Sequence, residues 1–286
     1  MRINNFYAIF FCALFCSVMC HGNKIRIFPP FRGRSAGPTT VIDTSKIQVY
    51  YAFCASDIRN EDTYRDLFCL EIGRRTLKFH SHFLEKAEMQ VRDWKRTNAN
   101  ESASPRVEPK GRYDKGWSEY QYSQWYISEG TITEYCCFPQ WLTRYNSYYK
   151  EKYPAQSWEI GRDTMSICGF TCQKAVSNYH GRTFIAWFSS QVPLRYGPWK
   201  LGGLPGLILK VSDKDGLFTF ECVKIERKTK PLLKDAYKTY NRIERAKVLK
   251  LQKGINEDIG NYLKYTNPNT GEPLHFYEPY NPLELE

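Results

Sequence analysis

Polar and apolar positions alternate along much of the chain. From Lys46 to Cys54, Ile47, Val49, Tyr51 and Phe53 fall on one face, the period of a half-buried strand. Leu67–Ile72 and Thr76–Ser81 read as two further strands, and Phe83, Ala87, Val91 and Trp94 recur at helical spacing. Tyr120–Tyr126 and Thr131–Phe138 flank the turn Ser128-Glu129-Gly130. Ile167–Val176 and Arg182–Phe188 turn at 178–181, and Leu207–Val211 and Leu217–Ile225 turn at 212–216. In the tail, Ala236, Tyr240, Ile243, Ala246 and Leu249 form an apolar stripe, so Asp235–Leu251 reads as a helix. The pattern predicts an α+β fold: a large antiparallel β-sheet, open to curling, packed with a C-terminal helical segment.

The first residues stand apart. Arg2 precedes an uninterrupted run of uncharged, mostly apolar residues from Phe6 to Cys20, and the chain turns polar at His21-Gly22-Asn23. This reads as a secretory signal peptide over residues 1–22, too short for a transmembrane helix. A lipid anchor on Cys20 is disfavoured because Met19 is not the small residue such a site wants. Residues 23–45 lack periodicity and read as a loose arm. Residues 46–286 then form a single domain, interrupted by a polar loop at 96–117 that reads as mobile. The expected location is the periplasm or the exterior.

Composition adds two constraints. Ten cysteines fall to seven once the signal is removed, an odd number in a compartment that permits disulfides. Placing Cys54 opposite Cys69 in a hairpin sets the cysteines on one face and apolar pairs on the other, so a Cys54–Cys69 disulfide is a candidate beside two unpaired thiols. The formal charge of +11 is concentrated near the end, where residues 224–264 hold twelve Lys/Arg and five Asp/Glu. Lys234, Lys238, Arg242 and Arg245 would form a stripe on the predicted tail helix, a candidate contact for an anionic lipid surface or simply a solvated face. Nucleic acid is not an expected partner outside the cytoplasm.

Chemical motifs are sparse. His80 and His82 alternate on a strand but lack further ligands at metal spacing, so no metal and no cofactor is expected. Cys168-Gly-Phe-Thr-Cys172 is one residue longer than a redox CxxC. Asp213-Lys214-Asp215 suits a turn better than a calcium loop. No G-x-S-x-G, H-E-x-x-H or phosphate-binding loop occurs. The densest stretch is 197–206, with four Gly and two Pro beside Trp187 and Trp199. Such a segment is rigid, serving either as a recognition loop or as a tight corner of the sheet.

Gly203-Leu204-Pro205-Gly206-Leu207-Ile208 spells the signature of the GLPGLI family. The likeness extends to Cys172-x-Lys174-Ala175, Gly181-Arg182, Ala186-Trp187, Pro193 and Gly197-Pro198-Trp199-Lys200. Leu70-Glu71-Ile72-Gly73, Phe79-x-Ser81 and the ending Asn281–Glu286 are similar too. The sequence thus resembles that family from about Lys46 to Glu286, and differs from it in the 96–117 loop and in its extra cysteines. The resemblance implies an exported protein of the Bacteroidetes type and brings no reaction with it.

These observations favour an envelope-associated binding or accessory protein without catalysis. Arg182, Trp187, Gly197, Pro198, Trp199, Lys200, Gly203, Leu204, Pro205 and Gly206 would then contact an apolar or glycan-like ligand or a protein. The alternatives are an envelope enzyme acting on peptide or glycan, and a carrier holding an apolar ligand in a half-open sheet.

Overall fold

The computed structural model describes residues 39–286 apart from 102–104, 106, 112, 114 and 115. The predicted signal, Cys20 and residues 23–38 lie outside the described residues. The first elements are β1 (Thr39–Ser45), β2 (Ile47–Phe53), β3 (Asp66–Ile72), β4 (Thr76–Ser81), α1 (His82–Thr97) and α2 (Glu119–Tyr122). There follow β5 (Gln124–Ser128), β6 (Thr131–Cys136), β7 (Ser147–Lys152), β8 (Glu159–Ile167), β9 (Phe170–Tyr179) and β10 (Arg182–Ser189). The chain ends with β11 (Leu207–Asp213), β12 (Thr219–Glu226), β13 (Lys230–Asp235), β14 (Asn241–Arg242), α3 (Arg245–Glu257) and α4 (Ile259–Leu263).

Twelve strands form one sheet in the order β14-β7-β6-β5-β4-β3-β2-β12-β11-β10-β9-β8, and β1 pairs with β13 in a separate ribbon. Every pairing is antiparallel except β14 with β7. The sheet is strongly curled. Glu151 on β7 and His180, just past β9, lie nine strand positions apart. In a flat sheet, nine spacings of ~4.8 Å would separate them by about 43 Å. Their side chains approach to 3.5 Å.

Aromatic packing fills the concave face. Phe68 stacks on Phe79 at 5.0 Å, and Phe53, Trp125 and Phe220 surround the pair. The same cluster takes in Ile132 from one end of the sheet and Tyr179 and Phe184 from the other. A second cluster joins Cys136, Phe138 and Tyr149 to Val248, Ile255 and Ile259. The convex face meets α1 through Phe83, beside Ala52 and Leu67. Ser81 caps α1 by accepting from the Leu84 N–H at 3.0 Å.

Several expectations need correction. In the β2–β3 hairpin Cys69 faces Tyr50, and Phe53 faces Asp66. The register is therefore displaced by four residues, Cys54 falls beyond the pairing, and Cys54 and Cys69 are both free thiols. Residues 39–45 are not a loose arm but strand β1. The 96–117 segment is anchored where it is described: Lys110 pairs with Glu61 at 2.9 Å, Tyr113 donates to Asp66 at 3.2 Å, and Trp117 is buried. The tail is not one helix from 235 to 251. Lys234 lies on β13, Lys238 in a turn, Arg242 on β14 and Arg245 at the start of α3. Lys234 sits over the rings of Tyr126 and Tyr135, so the four cations form no common stripe. No helix among the described residues is long and apolar enough to cross a membrane.

The segment after β10 closes the curl. Tyr153 Oη donates to the Leu201 carbonyl at 3.1 Å, and Trp158 Nε1 to that of Gly202 at 2.8 Å. Glycine is required here by close approach. A Cβ on Gly206 would lie 2.2 Å from the Ser189 carbonyl oxygen, and Gly203 takes a φ of +92°. Gly206→Ala is therefore expected to destabilise the fold by about 1–3 kcal/mol through overpacking. Gly161→Ala, whose nearest contact would be 3.7 Å, should be close to neutral. Urea denaturation checks both; equal midpoints for the two variants would refute the argument.

Candidate functional site

The residues that carried the family likeness converge inside the curl. Lys200 is fully buried, with Nζ 2.8 Å from Glu151, 3.1 Å from Glu134 and 2.6 Å from Tyr149 Oη, and it also pairs with Glu284. Burial alone would lower the pKa of this ammonium, but Glu284, Glu134 and Glu151 reverse that and hold it well above the ordinary lysine value. Arg245 Nε meets Glu284 at 2.8 Å. Glu151 is held down to about 2; burial opposes this, but His180, Lys200 and Arg245 outweigh it.

A second contact fixes the same terminal segment. Arg182 donates through Nε to the Pro282 carbonyl at 3.0 Å, pairs with Asp213 at 3.3 Å and also bonds Asn281. Thus Gly181-Arg182 and Gly197-Pro198-Trp199-Lys200 hold the Asn281–Glu286 ending. Trp199 is buried against Tyr179 and Phe184, each at 5.9 Å. Gly197, Pro198, Leu204 and Gly206 are buried; Trp187 is half-buried under Lys174, and only Pro205 is well exposed. As a group these residues build a corner and a latch.

Two triads have metal-ligand types within reach of one another: Cys69, Glu71 and His80, and Glu151, His180 and Glu284. In each, lysine already supplies positive charge. Lys230 lies 3.0 Å from Glu71, and Lys200 meets both Glu151 and Glu284. His80 Nε2 lies 3.0 Å from Glu71 and 3.8 Å from Glu85, and His82 Nδ1, at the start of α1, lies 3.8 Å from the other oxygen of Glu85, so the two histidines flank one carboxylate. Asp66 is a separate buried acid. Burial raises it to about 7, although Ser81, the Leu67 N–H and Tyr113 all donate to it.

An accessible concavity lies elsewhere. A cleft of about 390 Å³ opens between the β7–β14 edge and the helices α3 and α4. Arg144, Tyr145, Ser147, Asn241, Ile243, Lys247, Lys250, Leu251 and Tyr262 line it. The rings of Tyr145 and Tyr262 meet edge to face at 6.4 Å, and the Arg144 guanidinium sits 4.7 Å from the Tyr145 ring centre. Aromatic faces beside amide and hydroxyl groups suit a sugar, which presents C–H faces and a rim of hydroxyls. Of these residues only Ile243 stood out in the sequence, as part of the apolar stripe of the tail. β7 reads Ser-Tyr-Tyr-Lys-Glu-Lys, follows a loop and ends in charged residues, which masked the strand.

The family described as "N-glycanase peptide, N-terminal domain" matches residues 145–249, less than half of the chain. The match runs from the start of β7 into α3, and so includes Tyr145, Ser147, Asn241, Ile243 and Lys247 of the cleft. Two solved structures of PNGF-II, in the C2 and P21 space groups, are similar at 14% identity with TM-scores of 0.46 and 0.45. Each alignment covers 76% of this chain and 34% of the other, so the chain spans about a third of their length. No curated protein matches. The N-glycanase match overturns the expectation of a non-catalytic binding or accessory protein and favours the glycan-enzyme alternative.

Two outcomes follow from the buried charges. Lys200→Met keeps the volume but leaves buried Glu134 without its cation and Glu151 and Glu284 sharing Arg245, and should cost about 3–5 kcal/mol in urea denaturation; a loss below about 1 kcal/mol would contradict the latch. Asp66 ionises near 3.8 when unfolded but only near 7 when folded. Between those values the folded chain binds more protons, so this residue makes stability fall as pH rises from ~4 to 7. Asp66→Asn should remove that part of the slope in melting temperature against pH; an unchanged slope would contradict it.

Proposed function

We propose that the chain acts on N-glycosylated peptides as a glycan-engaging domain of the N-glycanase kind. The observation that carries this reading is the family match over 145–249, whose residues form much of the aromatic cleft. Tyr145 and Tyr262 would receive the sugar faces, and Asn241 and Ser147 would meet its hydroxyls. The apolar run at 6–20 and the GLPGLI-like motifs support action outside the cytoplasm, where glycoproteins are encountered. The buried Lys200 cluster serves this role only by holding the sheet closed.

The full chain should bind an N-glycosylated peptide at least tenfold more tightly than the same peptide without its glycan, by isothermal titration calorimetry. The double variant Tyr145→Ala/Tyr262→Ala should lose that difference while keeping its circular dichroism spectrum. Mass spectrometry of the same mixtures reports whether the glycan is released. Equal affinity for the glycosylated and bare peptides, with no glycan released, would overturn the proposal.

A further inference from the structure

The cleft has a charge pattern that a neutral sugar does not explain. Three of its nine lining residues are cations, Arg144, Lys247 and Lys250, and none is Asp or Glu. Lys247 has one acidic neighbour, Glu244 at 3.4 Å, in a pair whose two side chains are both more than two-thirds exposed. Such a pair is weak and easily exchanged for a better anion. Arg144 spends one donor on the Trp141 carbonyl at 2.7 Å, which fixes its guanidinium over Tyr145 with other N–H groups still available.

An independent observation lies in the wall of the cleft. Ser147 is 1% exposed, and its Oγ has no hydrogen-bond partner among the described residues. A buried hydroxyl left without a partner is costly, and a bound polar group would satisfy it. Ser147 begins β7, where its backbone is fixed by pairing to Cys136 on one side and Asn241 on the other. The residue is therefore held in place in the wall of the cleft that the three cations also line.

We infer that the cleft selects acidic glycans, those whose sugars carry a carboxylate or a sulfate, with Arg144, Lys247 and Lys250 receiving the anion and Ser147 a neighbouring hydroxyl. This rests on the glycan reading above and narrows it to a substrate class. Tyr145 and Tyr262 provide the stacking common to all sugars, and the cations provide the discrimination. Exposed charges act through a screened field, so the preference is salt-dependent.

The test compares four probes on the full chain by calorimetry: a neutral N-glycan, its sialylated counterpart, a uronate oligosaccharide and a sulfated one. At low salt at least one acidic probe should bind tenfold or more tightly than the neutral glycan, and the gap should narrow in about 0.5 M salt. The three acidic arms identify the source of the anion. Arg144→Ala/Lys247→Ala/Lys250→Ala should abolish the preference, so that acidic and neutral probes bind alike. Ser147→Ala should weaken both classes severalfold without loss of stability. Equal affinity for neutral and acidic probes would overturn this inference and leave the glycan reading standing. Binding of none would overturn both.

Discussion

The ammonium of Lys200 is the contact on which the rest of the structure depends. It lies where the two ends of a twelve-stranded sheet come together, and three carboxylates surround it. Glu134 and Glu151 come from β6 and β7, while Glu284 comes from the chain terminus. A sheet of this width twists by default, but twist alone does not specify which strands meet. A buried cation that must be neutralised does specify it, because its carboxylates have to be brought to that one point. The aromatic layer then fills the interior around that fixed point.

The same requirement explains why the family-like motifs lie so far apart in sequence. Gly181-Arg182, Gly197–Lys200 and Asn281–Glu286 form one contact set in space. Their glycines serve close packing and a left-handed turn, not flexibility. Charge is thereby sorted across the molecule: acids surround the buried lysine, and the cleft beside α3 keeps exposed cations. Three of the chain's 41 Lys and Arg residues line that concavity, and the predicted helical stripe does not form.

Much of the fold was legible in the sequence because local period and burial agree. β2, β3, β4, β6, α1 and the β11–β12 hairpin lie close to their predicted positions. Aromatic residues, 16% of the chain, supply much of the filling of the concave face. Failure came where tertiary contacts override periodicity. The apolar stripe from Ala236 to Leu249 has helical spacing, yet Tyr237 stacks on Tyr135 at 3.7 Å and Ile243 donates to the Tyr148 carbonyl, which draws the segment along the sheet. β8 was missed because its outer position leaves it polar and mostly exposed. The Cys54–Cys69 register satisfied alternation as well as the true one does, since a shift of four residues preserves which face each side chain takes. The cleft was not legible at all. Its residues lie at 144–147, 241–251 and 262, and only the closing of the sheet and the packing of α3 bring them together.

Two regions are distinct: motif residues that hold the curl, and a cleft proposed to engage a glycan. Hydrogen–deuterium exchange of the full chain, with and without an N-glycosylated peptide, tests that separation directly. The account predicts added protection at 144–148, 241–251 and 262, with 197–206 already protected and unchanged. Added protection at 197–206 with none at the cleft would contradict it, and would return the GLPGLI-like corner to the role of ligand contact.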